Sequence, residues 1–139
     1  MEDKPFNAFY IELKKVFEIL ETARVAIEKF QEILTIRPYS KEEVIDVYKD
    51  IHMYLNAAGL ILEIILDKIE KYGPKDKFLY DTISRFYKEI DDIDMAFWDT
   101  SFTYVKDPTK GINDFYKISI ESLRIIENIT EFIARELNL

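Results

Sequence analysis

The stretch from Phe6 to Leu34, FNAFYIELKKVFEILETARVAIEKFQEIL, decides the fold. Its apolar residues recur at alternating spacings of three and four, without a break. This spacing is that of a coiled-coil seam, in which one stripe of an α-helix faces its neighbours. The members of the first seam are Phe6, Phe9, Leu13, Val16, Leu20, Ala23, Ile27, Phe30 and Leu34.

Three further stretches carry the same pattern. The second seam consists of Val44, Tyr48, Ile51, Leu55, Ala58, Leu62, Ile65, Ile69 and Tyr72. The third consists of Leu79, Ile83, Phe86, Ile90, Ile93, Phe97, Thr100 and Tyr104. The fourth stretch offers two adjacent stripes, one with Ile112, Tyr116, Leu123, Ile126, Ile133 and Leu137 and the other with Phe115, Ile118, Ile125, Ile129 and Phe132.

Helix-breaking residues fall between these stretches. Pro38 disfavours a helical residue before it, so the first helix should end at Arg37-Pro38. Ser40 and Glu43 have the spacing of a capping box, which starts the second helix. Gly73-Pro74 supplies a left-handed cap and a stop for that helix.

Asp76 is a candidate cap for the third helix. The segment 106–111 is the expected third connection, although Asp107 as cap with Pro108 at the first position could begin the last helix early. The pattern therefore predicts helices over residues 6–36, 41–72, 76–105 and 109–138. Four helices of similar length with short turns indicate an all-α, up-down-up-down antiparallel four-helix bundle with coiled-coil-like packing. We expect residues 1–139 to form a single domain.

Composition narrows the function classes. The chain has no cysteine, which excludes disulfides, cysteine nucleophiles and thiolate metal sites. Its net charge of -8 opposes nucleic-acid binding by counterion release, so nucleic acid is not an expected partner. The start of the sequence has no signal-peptide pattern and the longest apolar run is too short to span a bilayer, so we expect a cytoplasmic protein without membrane insertion. Association with a virion stays open.

The residue usage also suggests a hot habitat. Ile, Glu and Lys are abundant, Cys is absent, and Gln31 is the only glutamine. Such enrichment and depletion are typical of hyperthermophiles. We expect the source to be a hyperthermophilic archaeon or its virus or plasmid.

The second helix carries more apolar surface than one seam requires. Val47, Tyr54 and Ile61 form a second line, and further apolar residues lie around the circumference, while a polar line runs through Lys49, Asn56, Glu63 and Glu70. Small residues at 56–59 would allow another backbone to approach closely. This surplus indicates either deeper burial within a monomer or a homodimer contact. With the aromatic residues that flank the seams, the candidate interaction surface comprises Tyr54, Ala57, Gly59, Leu60, Ile61, Ile64, Tyr80, Tyr87 and Trp98.

Few residues of the chain are candidates for catalysis or metal binding. His52 is the only histidine, which excludes two-histidine metal sites and histidine-based triads, and we expect a partly buried structural role for it. Glu18 and Glu21 on the first helix, and Glu89 and Asp92 on the third, form pairs spaced by three residues. Such pairs resemble those of all-α nucleotide pyrophosphohydrolases of the MazG type, and this resemblance implies a magnesium site that binds a triphosphate. The alternative is that they are solvated helix faces, which are common in a chain that is 33% charged.

The leading hypothesis is a non-catalytic helical-bundle protein that acts through protein–protein interaction. We expect it to form a homodimer and to bind a further, unidentified protein partner, with no cofactor, no bound metal and no catalytic residue. The first alternative is a metal-dependent all-α nucleotide pyrophosphohydrolase. The second is a DNA-associated accessory protein.

Overall fold

A computed structural model describes residues 5–36 and 38–139. A short 3-10 helix, Pro5–Phe9, leads into α1 (Tyr10–Ile36), which is followed by α2 (Lys41–Tyr72), α3 (Lys77–Lys106) and α4 (Pro108–Leu137). There is no β-strand among the described residues. Each helix packs against two others, with contacts between α1 and α2, α2 and α3, α3 and α4, and α1 and α4. The protein is therefore an all-α four-helix bundle.

Side-chain caps set the starts of the later helices as the sequence predicts. Ser40 Oγ accepts a hydrogen bond from the Glu43 N–H at 3.1 Å, and Glu43 Oε1 accepts one from the Ser40 N–H at 3.4 Å, which completes the capping box. Asp76 Oδ1 accepts from the Leu79 N–H at 2.9 Å. Gly73 ends α2 with a φ of 83°, but its ψ of -171° is extended and not left-handed helical as expected. The expected stop at Arg37 lies outside the described residues.

The connection between α3 and α4 is shorter than the predicted segment 106–111. Asp107 alone separates the two helices. Its N–H donates to the Thr103 carbonyl at 2.7 Å, which caps α3, while its side chain accepts from the Lys110 N–H at 3.2 Å, which caps α4. Pro108 occupies the first helical position, where its missing N–H costs nothing. The alternative early start of the last helix is thus the observed one.

The first three seams form the core. All members of the first seam except Leu34 are buried, as are all of the third. The second seam is buried from Val44 to Ile69, but Tyr72, which the pattern assigned to it, is 84% exposed because it is the last residue of α2. The buried apolar residues of all four helices form one cluster.

The fourth helix departs from both predicted stripes. Its buried line runs between them, through Gly111, Phe115, Ser119, Ser122, Ile126, Ile129, Ile133 and Leu137. Ser119 and Ser122 occupy core positions, so a search for apolar periodicity skips them and divides the true seam in two. Ser119 Oγ accepts a hydrogen bond from Gln31 Nε2 of α1 at 2.6 Å and donates to the Tyr116 carbonyl at 3.0 Å, which satisfies this buried hydroxyl.

Aromatic side chains fill both ends of the core. Phe115 lies 4.5 Å from Phe30 and 5.9 Å from Tyr48, ring centroid to centroid, so that α1, α2 and α4 meet at one point. At the opposite end Phe132 contacts Phe6 at 5.3 Å and Phe86 at 5.4 Å. All four of these pairs have the edge-to-face geometry that aromatic rings prefer.

Gly111 is required by the short α3–α4 connection, and this generates a stability prediction. A Cβ at this position would lie 2.6 Å from Cβ and 2.7 Å from the backbone nitrogen of Tyr104. Gly111→Ala should therefore lower the free energy of unfolding by about 1–3 kcal/mol, measured by denaturant titration. Gly59→Ala is the matched control, because no atom lies within 4 Å of its Cβ position, and it should raise stability by about 0.5–1 kcal/mol. Equal effects at the two sites would contradict this packing.

Tyr48 generates a second stability prediction. Its side chain is 3% exposed, and its hydroxyl has no hydrogen-bond partner among the described residues. Burial, with smaller contributions from Tyr104 and Asp114, raises the pKa of Tyr48 above its ordinary value. Tyr48→Phe should raise the free energy of unfolding at pH 7 by about 1 kcal/mol, since it removes a buried unpaired hydroxyl.

The same substitution should alter the alkaline limit of stability. In the unfolded chain Tyr48 releases its proton near pH 10, whereas the folded chain retains it. The wild type therefore loses stability as the pH rises above about 10, and Tyr48→Phe should lose less. Chemical denaturation between pH 7 and pH 11 measures both effects. If Tyr48→Phe is clearly less stable than the wild type at pH 7, the Tyr48 hydroxyl forms a stabilising hydrogen bond and the prediction is wrong.

Candidate interaction surface

The structure distributes the nine residues of the expected interaction surface over three environments. Tyr54 and Ile61 are partly buried and pack against the core. Gly59, Tyr80 and Tyr87 are half-buried along the groove between α2 and α3. On the outward faces lie Leu60, Ile64 and Trp98, which are half-exposed, with Ala57 beside them.

A different line of apolar residues, on the face of α2 opposite its buried seam, runs along the outside of the bundle. Met53, Leu60 and Ile64 are 54%, 51% and 50% exposed, and Ala57 lies between them. Their spacings are four, three and four, so these four residues form a seam of the same kind as the buried one, and we call them the outer seam. The buried seam passes through Leu55, Ala58, Leu62 and Ile65. Apolar surface opposite the core has no partner within the bundle.

Charged residues continue the outer seam at both ends. Asp46 and Asp50 precede it at the same spacing, and Asp67 and Lys71 follow it, all four exposed. Lys71 Nζ donates to Asp67 Oδ2 at 3.0 Å. The predicted polar line of Lys49, Asn56, Glu63 and Glu70 is exposed along the edge that faces α3. The outer seam is therefore an apolar strip with charged ends and one polar edge.

Gly59 opens a small groove on this edge. The groove has a volume of about 140 Å³, and its lining includes Asn56, Gly59 and Glu63 of α2 together with Tyr87 and Asp91 of α3. No atom lies within 4 Å of the Cβ position of Gly59, so α3 does not occupy the space that the missing side chain leaves. The small residues at 56–59 therefore do not bring α3 closer. Ala58, in contrast, is part of the core.

Tyr80 and Glu70 close the far end of the α2–α3 edge. The Tyr80 hydroxyl donates to Glu70 Oε1 at 2.9 Å. This hydrogen bond is the main cause of a raised Tyr80 pKa. It also ties Glu70, the last member of the polar line, to α3.

A second exposed strip lies on the C-terminal half of α3. Met95, Trp98, Phe102 and Val105 are spaced by three, four and three residues and are 59%, 45%, 56% and 54% exposed. We call these four residues the aromatic ridge. The Trp98 ring lies 4.9 Å from the His52 ring of α2 at a tilt of 40°, and it contacts Phe102 edge-to-face at 5.4 Å.

His52 is partly buried, as expected, and bonds to a neighbouring helix. Its Nδ1 lies 2.7 Å from Asp94 Oδ1, in a bond that links α2 to α3 beneath Trp98. The Asp94 side chain is only 13% exposed. Burial raises the pKa of Asp94, and the interaction with His52 opposes this shift in part.

The predicted surface omitted Met53, Met95, Phe102 and Val105, which the structure places on the two exposed strips. The signal that would have found them is the repeated three- and four-residue spacing on faces outside the core seams. Tyr54 and Ile61 entered the prediction because they are apolar and off-seam. They lie beside the buried seam and are partly buried against the core.

The four carboxylates of the hydrolase alternative are not brought to one site. Glu21 lines a groove between α1 and α4, where it forms an ion pair with Arg24 at 2.8 Å. Glu89 and Asp92 line a different groove, between α3 and α4. Over residues 5–36 and 38–139, no three His, Asp or Glu side chains are grouped so that they could hold a metal ion.

The chain matches no protein-family model, no curated protein and no solved structure. In the part of the chain that the structure describes, no helix has both the length and the apolar character needed to cross a membrane.

The buried Asp94 carboxylate generates a pH prediction. Its pKa in the folded protein is raised above the ordinary value of 3.8. As the pH rises through this range, the unfolded chain releases the proton more readily than the folded chain, so the wild type loses stability. Asp94→Asn keeps an oxygen acceptor for His52 and removes this ionisation. The variant should therefore gain stability relative to the wild type between pH 3 and pH 7, measured by chemical denaturation at each pH.

Asp92→Asn is the control for this experiment. It removes the same charge at an exposed position two residues away, on another face of α3. If the stability difference between wild type and variant follows the same pH dependence for both substitutions, the effect of burial at Asp94 is refuted.

Proposed function

We propose that this protein is a non-catalytic helical-bundle module that acts through protein–protein interaction and forms a homodimer. The observation that carries the proposal is the outer seam of α2, which repeats the spacing of the core on a face that the bundle leaves open. Coiled-coil spacing on an exposed face is typical of a helix that packs against a further helix. A site for chemistry has no comparable support in the described residues.

The aromatic ridge supports a second contact, to an unidentified protein partner. Trp and Phe are favoured anchors of protein interfaces because they bury a large area with few rotatable bonds. The outer seam and the aromatic ridge lie at different positions along the bundle axis. The outer seam occupies the middle of α2, and the aromatic ridge occupies the C-terminal part of α3. One protein could therefore use both at once.

We also infer the finer topology of the bundle. Contacts between consecutive helices pair residues whose numbers rise in one helix and fall in the other, such as Glu70 with Tyr80 and His52 with Asp94. Connections of one to four residues favour the same arrangement. Both features support an up-down-up-down antiparallel bundle. A cytoplasmic location and a hyperthermophilic source remain predictions from the sequence.

The proposal predicts that a charge within the outer seam disrupts self-association. Ile64→Glu should shift the protein from dimer to monomer at micromolar concentrations, because it would bury a carboxylate between apolar side chains. Size-exclusion chromatography with light scattering measures the mass, and the monomer is 16.6 kDa. Circular dichroism would verify that the variant remains folded.

Ile11→Glu is the matched control. Ile11 is 73% exposed on α1, and Lys14 and Lys15 follow it at seam spacing, so this substitution should leave the mass unchanged. A wild type that is monomeric up to several hundred micromolar would refute the homodimer. Equal dissociation by both substitutions would place the interface elsewhere.

A further inference from the structure

We propose that the second copy docks on the outer seam with the two α2 helices antiparallel, about a two-fold axis that passes between Ala57 and Leu60. This inference rests on the proposed self-association and adds its register. The partner is thereby specified as another copy of this chain, and the contact as α2 against α2.

The apolar residues of the outer seam match one another in this register. A two-fold axis at the centre of the strip brings Ala57 level with the partner's Leu60 and Met53 level with the partner's Ile64. The two-fold symmetry repeats both pairs, so the interface contains four layers of paired side chains. Ala57 is small, so the larger Leu60 has space at the centre, where the helices approach most closely.

The polar edge is also complementary in this register. Along this edge, a residue lies opposite the partner residue whose number brings the sum of the two to 119. Lys49 therefore lies opposite the partner's Glu70, and Asn56 lies opposite the partner's Glu63. The first is an ion pair, and the second is a possible hydrogen bond from the amide to the carboxylate. At the ends of the seam Asp46 comes level with the partner's Lys71. Each contact occurs twice.

A parallel arrangement would be repulsive. It would place Asp46 and Asp50 against the same residues of the partner, at both positions that precede the apolar strip. In the antiparallel register Asp46 meets an opposite charge, the partner's Lys71. Only Asp50 comes level with a like charge, the partner's Asp67, and the partner's Lys68 follows that position directly. Charge therefore favours the antiparallel orientation.

Charge reversal tests the register. Lys49→Glu and Glu70→Lys should each weaken the dimer by about 5- to 30-fold, because each substitution turns two attractive pairs into repulsive ones. The double variant should restore affinity to within about threefold of the wild type. Sedimentation equilibrium measures the dissociation constants. A double variant that is as weak as the combined single variants would overturn the register.

Three controls separate the register from other effects. Lys14→Glu and Glu32→Lys change the net charge equally on exposed positions of α1 and should leave the dissociation constant within about twofold. Tyr80→Phe removes the hydrogen bond to Glu70 without a change of charge. If Tyr80→Phe weakens the dimer as much as Glu70→Lys does, the partner's Lys49 is not the relevant contact.

Disulfide formation provides a second test that does not depend on affinity. The chain has no cysteine, so single cysteines can be introduced without interference. Asp46→Cys mixed with Lys71→Cys should give a disulfide-linked dimer on oxidation. Asp46→Cys alone should not, because its two copies would lie about 37 Å apart along the helix axis at 1.5 Å per residue. Cross-linking of Asp46→Cys alone would indicate the parallel arrangement and overturn the proposal.

Trp98 distinguishes the outer seam from the aromatic ridge. It is the only tryptophan and lies on the ridge, so its emission reports the exposure of that surface alone. Dilution across the dissociation constant should leave the emission maximum unchanged. A red shift on dissociation would place the ridge in the dimer and overturn the α2 register. A monomeric wild type would refute the proposed self-association itself, whereas a dimer that fails the charge and cysteine tests would refute only the register.

Discussion

The burial of one apolar stripe per helix is the constraint on which the structure depends. Four seams at three- and four-residue spacing close around a single core, and the caps and short connections fix how the helices meet. Beyond the seams, the bundle also packs the apolar residues that flank them against the core, such as Tyr54 and Ile61. The outward faces of the helices have no such neighbour within the bundle. The outer seam and the aromatic ridge are therefore surplus to folding, which is why they are the most informative surfaces of the molecule.

Much of the fold could be predicted because the determining signals are local. The capping box at Ser40, the cap at Asp76 and three of the four seams depend on residues within one helix, and the structure confirms both caps. The three seams are confirmed except for their terminal members Leu34 and Tyr72. The seam of α4 could not be predicted in this way, because it includes Ser119, a polar residue whose buried hydroxyl bonds to Gln31 of α1 as well as to its own helix. Gln31 lies on another helix, so a search for periodicity within α4 cannot detect this partner.

The candidate surface was predicted less completely, for a related reason. Apolar residues beside a seam can face a neighbouring helix or the solvent, and the sequence does not distinguish the two. Ile61 packs partly against the core, while Ile64 three residues later is half-exposed. Gly59 and Gly111 show the same ambiguity. Gly59 leaves an open groove, whereas Gly111 allows α4 to contact the backbone of Tyr104.

The charge of the protein determines what kind of contact the outer seam can make. A net charge of -8 on each copy produces repulsion between two copies at long range. At physiological ionic strength this repulsion is screened beyond about 8 Å, whereas pairs formed within a closed interface are screened less. Apolar burial along the outer seam would then supply the attraction. The alternation of Asp46, Lys49, Glu70 and Lys71 around it would select the antiparallel copy over parallel or slipped arrangements. A short seam with selective edges thus favours specific association over strong association.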